Sequence, residues 1–356
     1  MKPRTLVILL IILGILAGSG ALIILQKAPE SSEGRLGTHL FGQIPANEIA
    51  SIIIKGPDGA VSLVKKVDRW VVENRFDYPA DFSKISDFAL ELKQVKTGRE
   101  FESSEDTLKR LSLKDPDDSE ALEQEKGIRV LLKDKEGALL ASVLLGKTRI
   151  KEAGSHIPDG RYVRLGQESK IYLIDKHFAS FHKEPSAWLE KGLAEVGANE
   201  VRKVSCLSAD GKKVRYTFER PEKGKDLEPV NLPADRKVKK STLNRLAGAL
   251  SSLRMEDVVE HLDGPESIAT GFPSRIEYHL FNGIIYRVYP GDACSEADLC
   301  HLRLEVDYQR PPQALEAKQL NERLSPWVYV IPKWQHSIFM TDLDQLLEKP
   351  EEERKE

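Results

Sequence analysis

The sequence predicts an α+β protein, with an N-terminal transmembrane helix followed by two duplicated modules of antiparallel strands with packed helices. Three observations point there. Thr5 to Gln26 carries no charged residue. Short motifs from the first half return in the same order in the second. Beyond residue 47, most apolar runs alternate with polar residues, as strands with one buried and one wet face do.

The apolar run comes first. At 1.5 Å rise per residue, about 20 such residues cross a hydrocarbon core of roughly 30 Å, so 5–26 is read as the transmembrane anchor, in contact with the lipid bilayer. Lys2 and Arg4 precede it, which holds residues 1–4 in the cytoplasm and places the rest outside. The expected location is therefore the inner (cytoplasmic) membrane, single-pass, with the C-terminal part in the periplasm or outside the cell. Ala17-Gly18-Ser19-Gly20-Ala21 offers the small residues a signal peptidase accepts, but Leu22-Ile23-Ile24-Leu25 continues the apolar run past them, so the anchor is expected to stay uncleaved. Gly14 and Gly18 form a small-xxx-small pair suited to packing against another membrane helix. Residues 27–46 read as a tether and 348–356 as a charged, disordered tail.

The bulk composition is that of a globular protein: 40% hydrophobic and 31% charged residues over 356 positions. Its 53 basic and 56 acidic residues are interspersed, leaving no extended face of one sign, so nucleic acid is not expected as a partner. The densest basic run, Arg236-Lys237-Val238-Lys239-Lys240, reads as the solvated face of a helix start.

The repeat sets the organisation. Asn47-Glu48-Ile49 returns as Asn199-Glu200-Val201, and Asp58-Gly59 as Asp210-Gly211, each 152 positions on. Pro79-Ala80-Asp81 returns as Pro233-Ala234-Asp235 after 154, and Tyr172-Leu173-Ile174 as Tyr329-Val330-Ile331 after 157. A period of this length means duplicated domains, not a solenoid. We therefore expect a first α+β module over 47–183, a connecting helix over 184–198 and a second module over 199–347.

Within each module the local signals run in the same order. Ile49–Ile54 and Val61–Val64 flank the Asp58-Gly59 turn as a hairpin. Asp81 stands where a helix N-cap is needed, ahead of Phe82, Ile85, Phe88, Leu92 and Val95 at helical spacing. Asp235 holds that place in the second module, ahead of Leu243, Leu246, Leu250 and Leu253. Strands follow: Ile128, Val130 and Leu132 in the first module, Ile276, Tyr278 and Leu280 in the second, where Asn282-Gly283 predicts a type I′ hairpin. Leu302, Leu304, Val306 and Tyr308 alternate cleanly with charged residues, and Trp327–Ile331 closes the module.

The chemistry-bearing residues are few. Cys294 and Cys300 flank a polar stretch, and outside the cytoplasm such a pair is expected to close a small loop as a disulfide. A metal site from these thiols with His301 and Asp292 is the sharper reading, but no second ligand pair stands at metal spacing, so no metal ligand and no cofactor is predicted. Cys206 lies in an apolar strand pattern as a small core residue. Gly146-Lys147-Thr148 lacks the earlier Gly of a phosphate-binding loop, and Ser180-Phe181-His182-Lys183 lacks the partners of an S-x-x-K nucleophile; Ser62-Leu63-Val64-Lys65 shows the same spacing within a strand. No catalytic residue is assigned. Among the tryptophans, Trp70, Trp188 and Trp327 read as core, and Trp334, beyond Pro332, as the candidate exposed contact residue.

The chain resembles the domain-of-unknown-function family 4340 over nearly its whole length. The likeness is carried by the anchor, the strand–turn–strand ending in Trp70, the Ala80-Asp81 helix start, Leu111-Ser112-Leu113 with Pro116, Leu145-Gly146, Tyr162-Val163, Ile171-Tyr172-Leu173-Ile174, Leu189-Glu190-Lys191 and the restart at Asn199. The second module departs from it, with Pro221-Glu222-Lys223-Gly224-Lys225 where the Trp after the hairpin would stand. The resemblance implies a bacterial envelope protein encoded beside an ATP-binding-cassette transporter and a companion with a gliding-motility-type extracytoplasmic domain. It implies no catalysis. The expected function is a non-enzymatic, membrane-anchored accessory protein whose partners are a transporter permease and a companion extracytoplasmic subunit. The alternatives are a free envelope scaffold or ligand-binding protein, and a periplasmic hydrolase with a non-local active site.

Overall fold

The computed structural model describes residues 37, 39–41, 44–67, 69–150, 158–166, 168–178, 181–230, 236–261, 271–309 and 311–348. The expected anchor with Gly14 and Gly18, most of the tether, Asp235 and the tail beyond 348 lie outside the described residues. Among the described residues no helix is long and apolar enough to cross a membrane.

The fold is mixed α and β, rich in strands. The first half runs β1 (Ser51–Gly56), β2 (Gly59–Lys66), β3 (Arg69–Val72), β4 (Tyr78–Pro79), α1 (Phe82–Gln94), β5 (Thr97–Glu102), α2 (Glu105–Arg110), β6 (Ile128–Lys133), β7 (Leu139–Ile150), β8 (Pro158–Leu165) and β9 (Lys170–Ile174). The second runs β10 (Gly192–Ala194), β11 (Val201–Ser208), β12 (Val214–Glu219), β13 (Glu228–Pro229), α3 (Lys240–Ala247), β14 (Leu253–Arg254), β15 (Asp257–His261), β16 (Ser274–Leu280), β17 (Ile284–Cys294), β18 (Leu299–Tyr308), α4 (Ala314–Leu324), β19 (Trp327–Pro332), α5 (Lys333–Phe339) and α6 (Leu343–Leu346).

One sheet has the order β4-β3-β2-β1-β6-β7-β8-β9-β5, the other β13-β12-β11-β16-β17-β18-β19-β15, and β10 pairs with β14. From β2 and β12 onward the two orders are the same. Their registers agree residue by residue. Ile54 opposes Val130, Val130 opposes Val143 and Val143 opposes Leu165. Cys206, Ile276, Val288 and Leu304 form the same chain of partners. Val163 opposes Tyr172 as Leu302 opposes Tyr329. Side chains opposite one another share a face, and both rows are buried at their centres: Ile54, Val130 and Val143 are at most 3% exposed, with Leu165 at the row's end half-buried, and Ile276, Val288 and Leu304 are fully enclosed.

By compactness the chain divides into two units: residues through Ala60 with Ser83–Lys183, and Val61–Phe82 with Glu184 onward. In the first, α1 buries Ile85, Phe88 and Leu92, with the Phe88 ring 6.1 Å from Phe178 and 6.0 Å from Phe181. A further cluster gathers Leu113, Leu144 and Ile171 with Phe101, Leu108, Leu111 and Tyr162. In the second, the buried hydroxyls of Tyr278 and Tyr216 donate to the carbonyls of Leu246 (3.1 Å) and Thr341 (2.9 Å), which satisfies groups that would be costly to bury unpaired. Tyr78, Ala80 and Asp81 belong to this unit: Ala80 bridges Leu189 and the Asp81 amide donates to Trp188 O at 2.7 Å.

Three local expectations are revised. Instead of a helix over 184–198 there is a 3-10 turn at Pro185–Trp188 followed by β10. Trp188, Leu189 and Leu193 are all buried, so their apolar spacing reflects core packing and not helical periodicity. The second-unit helix stops at Ala247, before Gly248, and Leu250 and Leu253 are buried beyond it. The Asn282-Gly283 hairpin forms, but Gly283 alone takes the left-handed φ (99°) and its amide donates to Leu280 O. A type I′ turn needs positive φ at both central residues.

Candidate functional site

The two sequence-predicted features, the cysteine pair and Trp334, are brought to one corner of the second unit. β17 and β18 place Cys294 directly opposite Cys300, with Cα atoms 4.2 Å apart and the sulfurs joined as a disulfide. Between them the chain turns tightly, with the Ser295 amide donating to Leu299 O at 2.7 Å and Asp298 at a left-handed φ of 56°. Asp tolerates that conformation better than most side chains.

The other wall is α5. Pro332 ends β19 in an extended conformation and has no N–H to continue the ladder, so the chain leaves the sheet there. Lys333 is tied to the disulfide loop twice: its amide donates to Asp298 O at 2.8 Å and its ammonium to Asp298 Oδ1 at 2.8 Å. Trp334 follows, 67% exposed, whereas Trp70, Trp188 and Trp327 are buried. Trp334, Lys333, Ser337, Asp298, Leu299 and Glu256 line an open groove of about 680 Å³. Glu256 is itself paired with Lys191 at 2.9 Å.

The buried side of α5 carries Gln335, His336 and Phe339. His336 Nε2–H donates to Gly291 O at 2.8 Å, and Nδ1 lies 3.8 Å from Cys294 Sγ. Burial pushes the imidazole pKa below its usual value, opposed by the bond to Gly291. Ligand atoms of Cys294, Cys300 and His336 all lie within 4.8 Å of one another. The sequence-based metal reading pairs the thiols with His301 and Asp292, but both are exposed. His336 stands in their place, and nothing in its sequence position signals that a helix beyond β19 returns it to the cysteines.

The remaining sequence candidates take structural places. Gly146 lies within β7, where a Cβ would strike Leu111 O and the Leu113 side chain, so close packing accounts for that glycine. Ser62 is in β2 with its hydroxyl donating to Glu73 Oε2 at 2.7 Å; Ser180 lies outside the described residues. Cys206 is buried in β11, and burial raises its thiol pKa.

Sequence reasoning missed an ionic network on β16–β18. Glu277 meets Arg275 at 2.8 Å, His279 at 3.3 Å and Arg287 at 3.4 Å, and Arg287 also meets Asp307 at 2.8 Å. The hydrogen bond from His279, then the two guanidiniums, hold the Glu277 carboxyl below the usual range against the opposing effect of burial. Arg303, 3% exposed, lies 5.7 Å from the Phe272 ring centre and 5.8 Å from that of Tyr289. The alternation of charges along β18 reads as a wet face, and Arg303 shows that it is not wet throughout.

No curated protein and no solved structure matches the chain. A family model described as "Domain of unknown function (DUF4340)" matches residues 70–270, more than half of the sequence. The chain belongs to that domain-of-unknown-function family.

Proposed function

We propose that this protein is a membrane-anchored, extracytoplasmic accessory subunit of an ATP-binding-cassette transport system, and that it engages its partner through the groove beside Trp334. The observation that carries the reading is Trp334: a large aromatic, 67% exposed, on a helix start pinned to a disulfide-closed loop. An exposed indole beside Lys333, Asp298, Glu256 and Ser337 fits the anatomy of an interface anchor, an aromatic with polar groups at its rim. The uncharged run from Thr5 to Gln26 supports a tether to the bilayer. The shared strand order and register of the two sheets support an origin by duplication of one α+β module.

The test is crosslinking of the full chain in intact membranes, then solubilisation in mild detergent and mass spectrometry of what is retained. Recovery of a permease and its ATPase in fixed stoichiometry is expected. A chain that returns without any transporter component overturns the reading.

A further inference from the structure

We infer that reduction of the Cys294–Cys300 disulfide turns this corner into a binding site for a borderline-soft divalent cation such as Zn²⁺, held by both cysteine sulfurs and His336 Nδ1. The inference does not depend on the transport reading.

Three features of the geometry carry it. First, the donors are assembled: the three ligand atoms lie within 4.8 Å of one another. Tetrahedral Zn²⁺ with its ordinary bond lengths holds such atoms roughly 3.3–3.8 Å apart, so on reduction the two sulfurs, now bonded to each other, would part to that spacing and the imidazole would close to it. Second, the imidazole presents the correct nitrogen. A carbonyl can only accept, so the 2.8 Å contact with Gly291 O fixes the proton on Nε2, which leaves the Nδ1 lone pair facing Cys294 Sγ at 3.8 Å. A ring N–H given to a backbone carbonyl is the outer-shell arrangement that orients metal-bound histidines. Third, Cys300 and His336 are buried while Cys294 is half-buried, so a reductant has a sulfur to reach and a cation has a side left open for water as fourth ligand.

The chemistry balances. A dithiol delivers two electrons and two protons to the sulfurs and leaves as its own disulfide. The cation then displaces the two thiol protons to solvent and takes both thiolates, while the imidazole contributes its lone pair without losing a proton. A disulfide oxidant that takes the two electrons back and, with two protons from solvent, leaves as two thiols re-forms the S–S bond and expels the cation, because two sulfurs bonded to each other are no longer thiolate ligands.

The test uses the full chain in detergent, reduced with a phosphine under inert gas and titrated with Co²⁺. The expected result is a thiolate-to-cobalt charge-transfer absorption that saturates at one equivalent, is bleached by Zn²⁺ and is missing from the oxidised chain. Cys206→Ala leaves it unchanged. Cys294→Ser abolishes it, and His336→Ala weakens Zn²⁺ binding at least about tenfold. Should His336→Ala fail to fold, protection of Cys294 and Cys300 from alkylation by Zn²⁺ in the reduced wild-type chain provides the second reading. No charge-transfer band in the reduced wild-type chain, or a band that survives Cys294→Ser, overturns the inference.

Discussion

The phenol ring of Tyr78 stands edge-on to the indole of Trp327, with ring centres 5.0 Å apart and planes at 73°. A second edge contact, at 6.3 Å, joins it to Tyr329. Tyr78 is 3% exposed, and burial raises its hydroxyl pKa, with Glu190 adding to the effect. A residue from the hairpin extension of the first half is thus core to the second unit. Tyr78→Ala is expected to cost about 3–5 kcal/mol, the range for removing a buried aromatic, read as a lower urea midpoint. Tyr78→Phe keeps the ring and is expected to cost about 1 kcal/mol. Equal effects from the two substitutions would contradict the packing role.

Glu277 sets an acid limb of stability. Its carboxyl is held below its ordinary value of 4.5 in the folded protein, so the unfolded chain binds more protons as pH falls through 4.5. The stabilisation is full above that pH and drains away toward the lower folded value. Glu277→Gln is expected to flatten this limb and to cost roughly 1–2 kcal/mol at neutral pH, measured by denaturation across pH 3–7, a range chosen as roughly spanning the carboxylate titration. An unchanged acid limb would show that the network contributes nothing.

At Gly146 the backbone of Leu111 and the side chain of Leu113 leave no room for a methyl group. Gly146→Ala is expected to destabilise the first unit by about 1–3 kcal/mol, as overpacking does. Gly59, whose added Cβ meets nothing within 4 Å, is the matched control and should tolerate alanine within roughly 1 kcal/mol.

The disulfide closes a short loop, with a sequence separation of 6. By the loop-entropy argument its removal in a Cys294→Ser, Cys300→Ser double variant is expected to cost about 2 kcal/mol. Comparing melting with and without reductant checks this: wild type should respond and the double variant should not.

Much of the architecture was legible from residues alone. The offset of 157 linking Tyr172 to Tyr329 works because both sit at one ladder position, opposite Val163 and Leu302. Likewise Ile52 and Val204, 152 apart, face Leu132 and Tyr278. Strand alternation is kept at these positions in both sheets because burial of one face constrains every second residue. The illegible parts are those fixed by distant contacts. Nothing near Tyr78 names Trp327 as its neighbour, and nothing near His336 names Cys294. Trp188, Leu189 and Leu193 carry an apolar spacing that a helix and a buried irregular segment share, and only their packing decides between the two. Asn282-Gly283 marks the hairpin correctly, but the turn type depends on where the flanking strands place Gly283.

The most direct test of the proposed partner surface places a photo-crosslinking residue at position 334 of the full chain in its native membrane. Trp334 is mostly exposed, so the substitution should shift stability by no more than about 0.5 kcal/mol. Irradiation is expected to join this position covalently to the permease or to its companion extracytoplasmic subunit, and the same residue at exposed Val67 (93%) to give no such product. Crosslinks from Val67 to the transporter with none from position 334 would contradict it.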